Sequence, residues 1–322
     1  RSAIFTPLKN VGLIIVDEEQ ETSFYQDMKE PRYHARDVAL MRGTFEKGTV
    51  VVASATPSLE SYYNYQQNKI RYLHLPKRYG GAKHPTVHIV DMLSDQEETG
   101  KFGVVISGLL QEKIEDRLNK NEQIILLQNR RGFSSIVKCN ECGSIIMCKR
   151  CKITLTYHKN DSKLICHFCS FSVVDEPLSC QECNNSKLTY SGTGTQKVEN
   201  IIQNTFPEAR ICRIDMDTSK SSSGIASILM SFSNHEYDIL IGTQMVAKGL
   251  DFPNATLVGI VNADLGLYIP DFRATEKVFQ LIYQASGRSG RSNKKGEVVI
   301  QTFSSNNTVI KNAKELKISE FY

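Results

Sequence analysis

Eight of the nine cysteines fall between residues 139 and 183 as four C-x-x-C pairs: Cys139/Cys142, Cys148/Cys151, Cys166/Cys169 and Cys180/Cys183. Two thiolates three positions apart reach one centre from a single tight turn, which is how a soft tetrahedral cation is held. Disulfide frameworks instead scatter their cysteines through a small secreted domain. The intervals between the pairs are 5, 14 and 10 residues, and four pairs can combine in three ways. Joining neighbours would close the first site over only five residues. A nested arrangement is easier. A hairpin unites Cys148, Cys151, Cys166 and Cys169, and carries Cys139, Cys142, Cys180 and Cys183 into a second site. Two structural Zn²⁺ ions are expected, each with a complete four-cysteine set; an iron–sulfur cluster is the alternative. His167 reads as a bystander, and Cys212, inside an apolar run, as core. Metal thiolates fit a reducing compartment, so a cytoplasmic location is expected.

A second constellation is acidic. Asp17 and Glu18 close the apolar run VGLIIV. Adjacent carboxylates at a strand end suit nucleotide hydrolysis, one holding Mg²⁺ through its water shell and the other polarising the attacking water. The plainer reading is a solvated strand end. SATPS (54–58) could relay the state of a nucleotide, or be an ordinary strand–helix junction. In QASGRSGR (284–291), Arg288 and Arg291 stand among Gly and Ser. An arginine delivered to a γ-phosphate is worth about 10³–10⁵ in rate, whereas a basic helix end can also simply face solvent.

Candidate nucleic-acid contacts are spread more widely. GTQMVAKGLDFP (242–253) carries Thr243 and Lys248, suited to a phosphate backbone, and Gly249 and Asp251, candidates for the nucleotide. NRRGF sets Arg130 and Arg131 beside an aromatic ring, joining charge to stacking. Phe24, Tyr25, Arg32, Tyr33 and His34 lie in a polar loop, where the rings either stack on bases or pack the loop down. No G-x-x-x-x-G-K-[ST] occurs, and GTGTQK (192–197) lacks the ending that cradles phosphates.

Short β-branched runs alternate with helical patterns to position these residues. Buried strands are expected in 11–19, 49–56, 123–131, 209–217, 237–244, 255–264 and 296–302. Helices are expected over 108–120, capped by Ser107, over 57–68 with Pro57 in the first turn, and over 273–286. The order implies an α/β fold with two RecA-like parallel-sheet lobes and a small Cys-rich insertion. Its parts are the first lobe (1–100), the second (101–137 and 187–303), the zinc-binding insertion (138–186) and the start of a further domain (304–322). The lobe boundary is expected within the Gly-rich, charged stretch 80–103. A net charge of +4 is mildly basic and by itself selects no partner. No apolar run approaches the roughly 18 residues of a membrane helix, so no membrane partner is expected. Beginning at Arg1, the chain reads as a piece of a longer protein.

Taken in order, RSAIFTP, VGLIIVDEEQ, PRYHARDVA, SATPSLE, NRRGF, the eight cysteines, GTGTQKVE, IGTQMVAKGLDFPNATLVGIVNAD and QASGRSGR resemble the PriA family of primosomal replication-restart helicases, in superfamily two. The resemblance covers essentially the whole chain, and the interleaved cysteines are its most specific part. It implies an ATP- and Mg²⁺-dependent translocase that unwinds DNA 3′ to 5′ at stalled forks in the bacterial nucleoid. Forked and single-stranded DNA, primosome proteins, single-stranded DNA-binding protein and the replicative helicase are the implied partners. Asp17 and Glu18 would be the Mg²⁺ and water-activating pair. Gln284, Arg288 and Arg291 would reach the triphosphate, and Phe24 through Tyr33 would form the aromatic loop that couples DNA to the ATPase. Gln20 stands where the family usually has His, so the contact from this motif to SATPS does not carry over by resemblance. Ser289 replaces a usual Ala. The family's P-loop and N-terminal domains would precede Arg1, and most of its C-terminal domain would follow Tyr322. Rival readings are a zinc-stabilised docking module without catalysis, and a RecG-like translocase, which would leave the cysteines unexplained.

Overall fold

The computed structural model describes residues 1–27, 29–75, 84–101, 103–128, 135–151, 154–158, 163–166, 169–174, 179–180, 182–191, 194–214, 222–243, 252–267, 269, 271–288 and 294–322. The chain forms two compact units, Arg1–Leu75 together with Tyr322, and Pro76–Phe321.

The first unit is a βαβ crossover with an inserted ribbon. Its elements are β1 (Leu13–Asp17), β2 (Tyr25–Gln26), β3 (Tyr33–His34), α1 (Ala35–Glu46), β4 (Thr49–Ala53) and α2 (Leu59–Gln66). β1 and β4 pair in parallel, Leu13 with Thr49 through Asp17 with Ala53. β1 was expected to be buried on both faces. In this unit Val16 is buried while Leu13 and Ile15, on the other face, are exposed. A strand alternates its side chains, and α1 covers only one side. Helix and strand meet closely: a Cβ on Gly43 would lie 2.2 Å from Val50 Cγ2, so only glycine fits there. α2 starts later than expected. Ser58 is its N-cap, accepting from the Ser61 N–H, and Pro57 lies just outside the helix.

In the second unit, the sequence order is β5 (Thr86–Asp91), α3 (Met92–Thr99), α4 (Gly108–Asn119) and β6 (Gln123–Leu127). The Cys-rich segment then supplies β7 (Ser135–Cys139), β8 (Thr156–His158), β9 (Lys163–Ile165), β10 (Ser172–Val174) and β11 (Leu188–Ser191). The remainder comprises α5 (Thr195–Thr205), β12 (Ile211–Ile214), α6 (Ser222–Ser233), β13 (Ile239–Gly242), β14 (Ala255–Ile260), α7 (Asp264–Leu267), α8 (Ala274–Ser286), β15 (Glu297–Thr302), α9 (Thr308–Lys314) and α10 (Ile318–Phe321).

A six-stranded parallel sheet runs in the order β12-β13-β6-β14-β15-β5. Every residue of β6, β13 and β14 is buried, as expected of parallel strands covered on both faces. One core gathers Phe232, Phe279 and Ile282 with Ile125 and Val258; the other gathers Met92, Leu110, Ile114, Val198 and Ile202 with Ile124 and Leu126. Gln301, fully buried, is satisfied on both sides of its amide. It donates to the carbonyls of Val105 and Val261 at 2.8 Å each and accepts from the Ser107 N–H at 2.8 Å. As expected, Ser107 caps α4, its hydroxyl accepting from the Leu110 N–H.

Two expected boundaries move. β5, within the stretch 80–103, pairs with β15 from Thr86–Glu297 to Asp91–Thr302, so it belongs to the second unit. Residues 304–321 are not the start of a separate domain. Val309, Ile310 and Ala313 enter the second unit's core, and Phe321 stacks on Phe279 at 4.0 Å. The Cys-rich segment is a sheet of its own, β10-β9-β8-β7-β11, all antiparallel. Its small core holds Val137, Ile146, Leu155 and Leu164 beside Cys148 and Cys166.

Candidate functional site

The β8–β9 hairpin carries one cysteine pair at each flank; of the remaining two, one lies at the end of β7 and the other precedes β11, the strand that pairs with β7. The result is nested. Cys148, Cys151, Cys166 and Cys169 form one cluster, Cys139, Cys142, Cys180 and Cys183 the other, and within each all sulfurs lie within 4.8 Å of one another. Cys139–Cys183 and Cys142–Cys180 are 3.5 Å apart, and Cys148–Cys169 is 3.7 Å. Four sulfurs at about 2.3 Å from a tetrahedral Zn²⁺ would be about 3.8 Å apart, so both clusters fit that ion.

The turns explain how the pairs converge. The residue after the second cysteine is left-handed in three of them: Gly143 (φ 72°), Ser170 (φ 58°) and Asn184 (φ 55°). Their N–H groups donate back to the carbonyls of Cys139, Cys166 and Cys180, at 3.1, 2.8 and 3.0 Å. Burial opposes ionisation of Cys180, but the N–H groups of Cys183 and Glu182 and the Ser144 hydroxyl outweigh it and bring the thiol down to about 6. Cys148 is likewise brought to about 7, against burial, by the N–H groups of Cys151 and Arg150. The hydrogen bond with Cys169 pushes Cys151 up to about 12. Four thiolates this close repel one another, and a divalent cation removes that cost.

The acidic motif sits at the end of β1. Asp17 is exposed and its Oδ1 accepts from the Glu18 N–H at 2.9 Å. Glu18 is left-handed (φ 50°), which turns the chain sharply after the strand. Gln20 donates through Nε2 to Glu18 Oε2 at 2.6 Å and accepts at Oε1 from the Ser54 hydroxyl at 2.5 Å. Ser54 in turn accepts from the Thr56 N–H at 2.9 Å. Gln20 therefore makes the contact to SATPS that its departure from the family pattern had left open.

Sequence reasoning missed the buried half of this motif. Glu19 is 1% exposed. Its carboxylate accepts from the Ser58 N–H at 2.6 Å, from the Ser58 hydroxyl at 2.9 Å, and from Arg36 at 2.9 Å. Arg36 also donates to Asp37 and to Ser58 Oγ. Burial would lower its pKa, but the carboxylates of Asp37 and Glu19 raise it further, so the guanidinium stays charged. Only the position of Arg36 inside PRYHARDVA could have signalled it.

The aromatic loop leads into Arg36. β2 and β3 pair Tyr25 with His34. The two rings stack at 6.2 Å, and Phe24 lies 6.4 Å from His34. His34 caps α1, its Nδ1 accepting from the Arg36 N–H at 3.2 Å. Tyr33 packs edge-on against Phe5 at 5.1 Å, and Arg32 pairs with Glu30 at 3.2 Å on the surface. Tyr25 keeps 45% of its surface exposed.

In the second unit, Thr243 is half-buried just beyond β13, at the carboxyl edge of the sheet. Gln284, on α8, and Arg288, one residue past its C-cap Gly287, are half-buried. α8 joins the end of β14 to the start of β15, so it returns to the amino edge. Arg130, Arg131, Lys248, Gly249, Asp251, Ser289, Arg291 and His167 lie outside the described residues.

Two family models match: "Helicase conserved C-terminal domain" over residues 172–293 and "PriA DNA helicase Cys-rich region (CRR) domain" over 148–173. Along its whole length the chain is 45% identical to the Chlamydia pneumoniae replication restart protein PriA, covering 43% of that protein. It is 43% identical, again over 100% of its length, to the Bacillus subtilis protein of the same name, covering 40% of it. Along its whole length this chain resembles part of the PriA proteins. It spans about two fifths of the length of the curated relatives it matches. The Cys-rich match spans the Cys148, Cys151, Cys166 and Cys169 cluster, and the helicase match spans β12, β13 and β14 of the parallel sheet. Among the described residues no helix is long and apolar enough to cross a membrane.

Proposed function

We propose that this chain supplies the acidic motif, the second RecA-like lobe and the zinc-binding insertion of an ATP-dependent 3′-to-5′ DNA helicase that restarts replication at stalled forks. The observation that carries this reading is the continuous polar chain from Glu18 through Gln20 to Ser54, beside an exposed Asp17. Mg²⁺-ATP, when bound, supplies the phosphoanhydride that drives movement. Asp17, at an open strand end, holds the hydrated cation. Glu18 orients the attacking water and accepts its proton. Gln20 fixes the Glu18 carboxylate and passes its position to the SATPS turn. Gln284, Arg288 and Arg291 balance charge developing on the triphosphate. Thr243 and Lys248 contact the DNA backbone, with Arg130 and Arg131. The insertion holds two structural Zn²⁺ ions. Primosome proteins, single-stranded DNA-binding protein and the replicative helicase are the partners of the whole protein.

The test is Glu18→Gln in the full-length protein. Its DNA-stimulated turnover should fall by about 10²–10⁴-fold with nucleotide affinity little changed. Retained turnover, or an equal loss of nucleotide binding, would show that Glu18 is only a strand-end charge.

A further inference from the structure

A ladder of aromatic rings runs from α2 into the segment that follows it. Tyr62 and Tyr65 meet edge to face at 5.9 Å, Tyr65 and Tyr72 lie 4.8 Å apart, and Tyr72 stacks on His74 at 6.1 Å with 14° between the planes. Asn68, left-handed at φ 54°, reverses the chain after the helix and brings Tyr72 back onto Tyr65. The turn is closed by Asn68 N–H donating to the Tyr65 carbonyl and Lys69 N–H to the Asn64 carbonyl, both at 2.9 Å.

These rings are open to solvent: Tyr65 is 37% exposed, Tyr72 40% and the adjacent Tyr63 55%. Lys69, Arg71 and His74 stand exposed among them. No Asp or Glu occurs between Glu60 and Asp91. A strip meant for a protein core would be buried and free of cations. Here flat rings hold one another in place, and the cations among them share a stretch of chain without carboxylates. That combination matches single-stranded nucleic acid, whose bases offer free faces to rings and whose phosphates attract Lys and Arg. A duplex keeps its base faces stacked and would use only the cations.

We propose that Tyr65, Tyr72 and His74, with Lys69 and Arg71, form a contact surface for single-stranded DNA, distinct from the aromatic loop at 24–34. It rests on the reading of the protein as a DNA translocase. Leu73 and Leu75 are 74% and 89% exposed, so the competing occupant is an apolar segment of the same protein.

Fluorescence anisotropy of the full-length protein with a labelled oligothymidylate separates these outcomes. Loss of one base stack is worth about 5- to 150-fold in affinity. Tyr65→Ala/Tyr72→Ala should therefore weaken binding by about tenfold or more, while Tyr72→Phe binds as wild type. Lys69→Ala/Arg71→Ala, at exposed positions that folding does not need, should flatten the slope of log affinity against log salt by about 1.4. Wild-type affinity and salt slope in both double variants would overturn the surface. So would a lowered melting temperature of the tyrosine variant with unchanged DNA affinity, which would assign the ladder to a protein contact. DNA-stimulated ATPase of the unsubstituted protein tests the translocase reading separately. If it is present while the variants bind normally, only the surface fails.

Discussion

Glu19 and Arg36 show how much of this motif is held by one buried ion pair. Their side chains are 2% and 7% exposed and 2.9 Å apart. Ser58 satisfies the rest of the carboxylate, so the turn after β1, the cap of α2 and the first turn of α1 are fixed against one another. Removing one partner of such a pair leaves the other charged and unsolvated, at a cost of about 3–5 kcal/mol. Arg36→Ala should therefore lower the first unit's stability by that amount in denaturant titrations. Arg36→Ala with Glu19→Gln should recover part of it, because no bare charge remains. Equal losses for the single and double variants would show that packing, rather than charge, dominates at this site.

At the scale of elements, the Cys-rich sheet is the clearest case of a fold built around its ligands. Its strands are three to five residues long, and its core holds only a few aliphatic side chains beside the thiols. So little burial cannot offset the entropy of ordering the segment. Structural zinc contributes on the order of 10–16 kcal/mol in small sites. The nested pairing makes a specific prediction for elemental analysis. Cys148→Ser and Cys166→Ser should each release the same ion, and combining them should release no more than either alone. Cys148→Ser combined with Cys142→Ser should release both, while circular dichroism of the two lobes stays near wild type. Iron in place of zinc, or additive loss from Cys148 and Cys166, would overturn the assignment.

For the whole molecule, the candidate groups are divided between two compact units, with Asp17 and Glu18 in the first and Arg288 and Arg291 in the second. On the function proposed above, these arginines balance charge on the triphosphate. Arg291→Ala in the full-length protein should nearly abolish hydrolysis and unwinding while fork binding stays close to wild type. Arg291→Lys should rescue it poorly, since an ammonium lacks the planar fork. Lost DNA binding with intact basal ATPase would instead make Arg291 a backbone contact.

Spacing already favoured the nested metal clusters, because joining neighbours among four C-x-x-C pairs separated by 5, 14 and 10 residues would close the first site over only five residues, and the fold brings the nested sets together. Periodicity likewise determined the buried strands β6, β13 and β14 and the helices α4 and α8, whose apolar runs are long and sharply bounded. Tertiary structure decided what a local pattern cannot carry. β5 joins the second unit because its register with β15 is a pairing more than 200 residues away. α9 looks polar in sequence, yet Val309, Ile310 and Ala313 find a core. Glu19 reads like its acidic neighbours, but the left-handed turn at Glu18 directs it inward, where Arg36 and Ser58 complete it. Gln20 could be judged only once Glu18 and Ser54 stood within reach of its two amide atoms. Local periodicity is written in neighbouring residues, whereas a buried charge or a bridging amide is defined by partners that only the folded chain brings together.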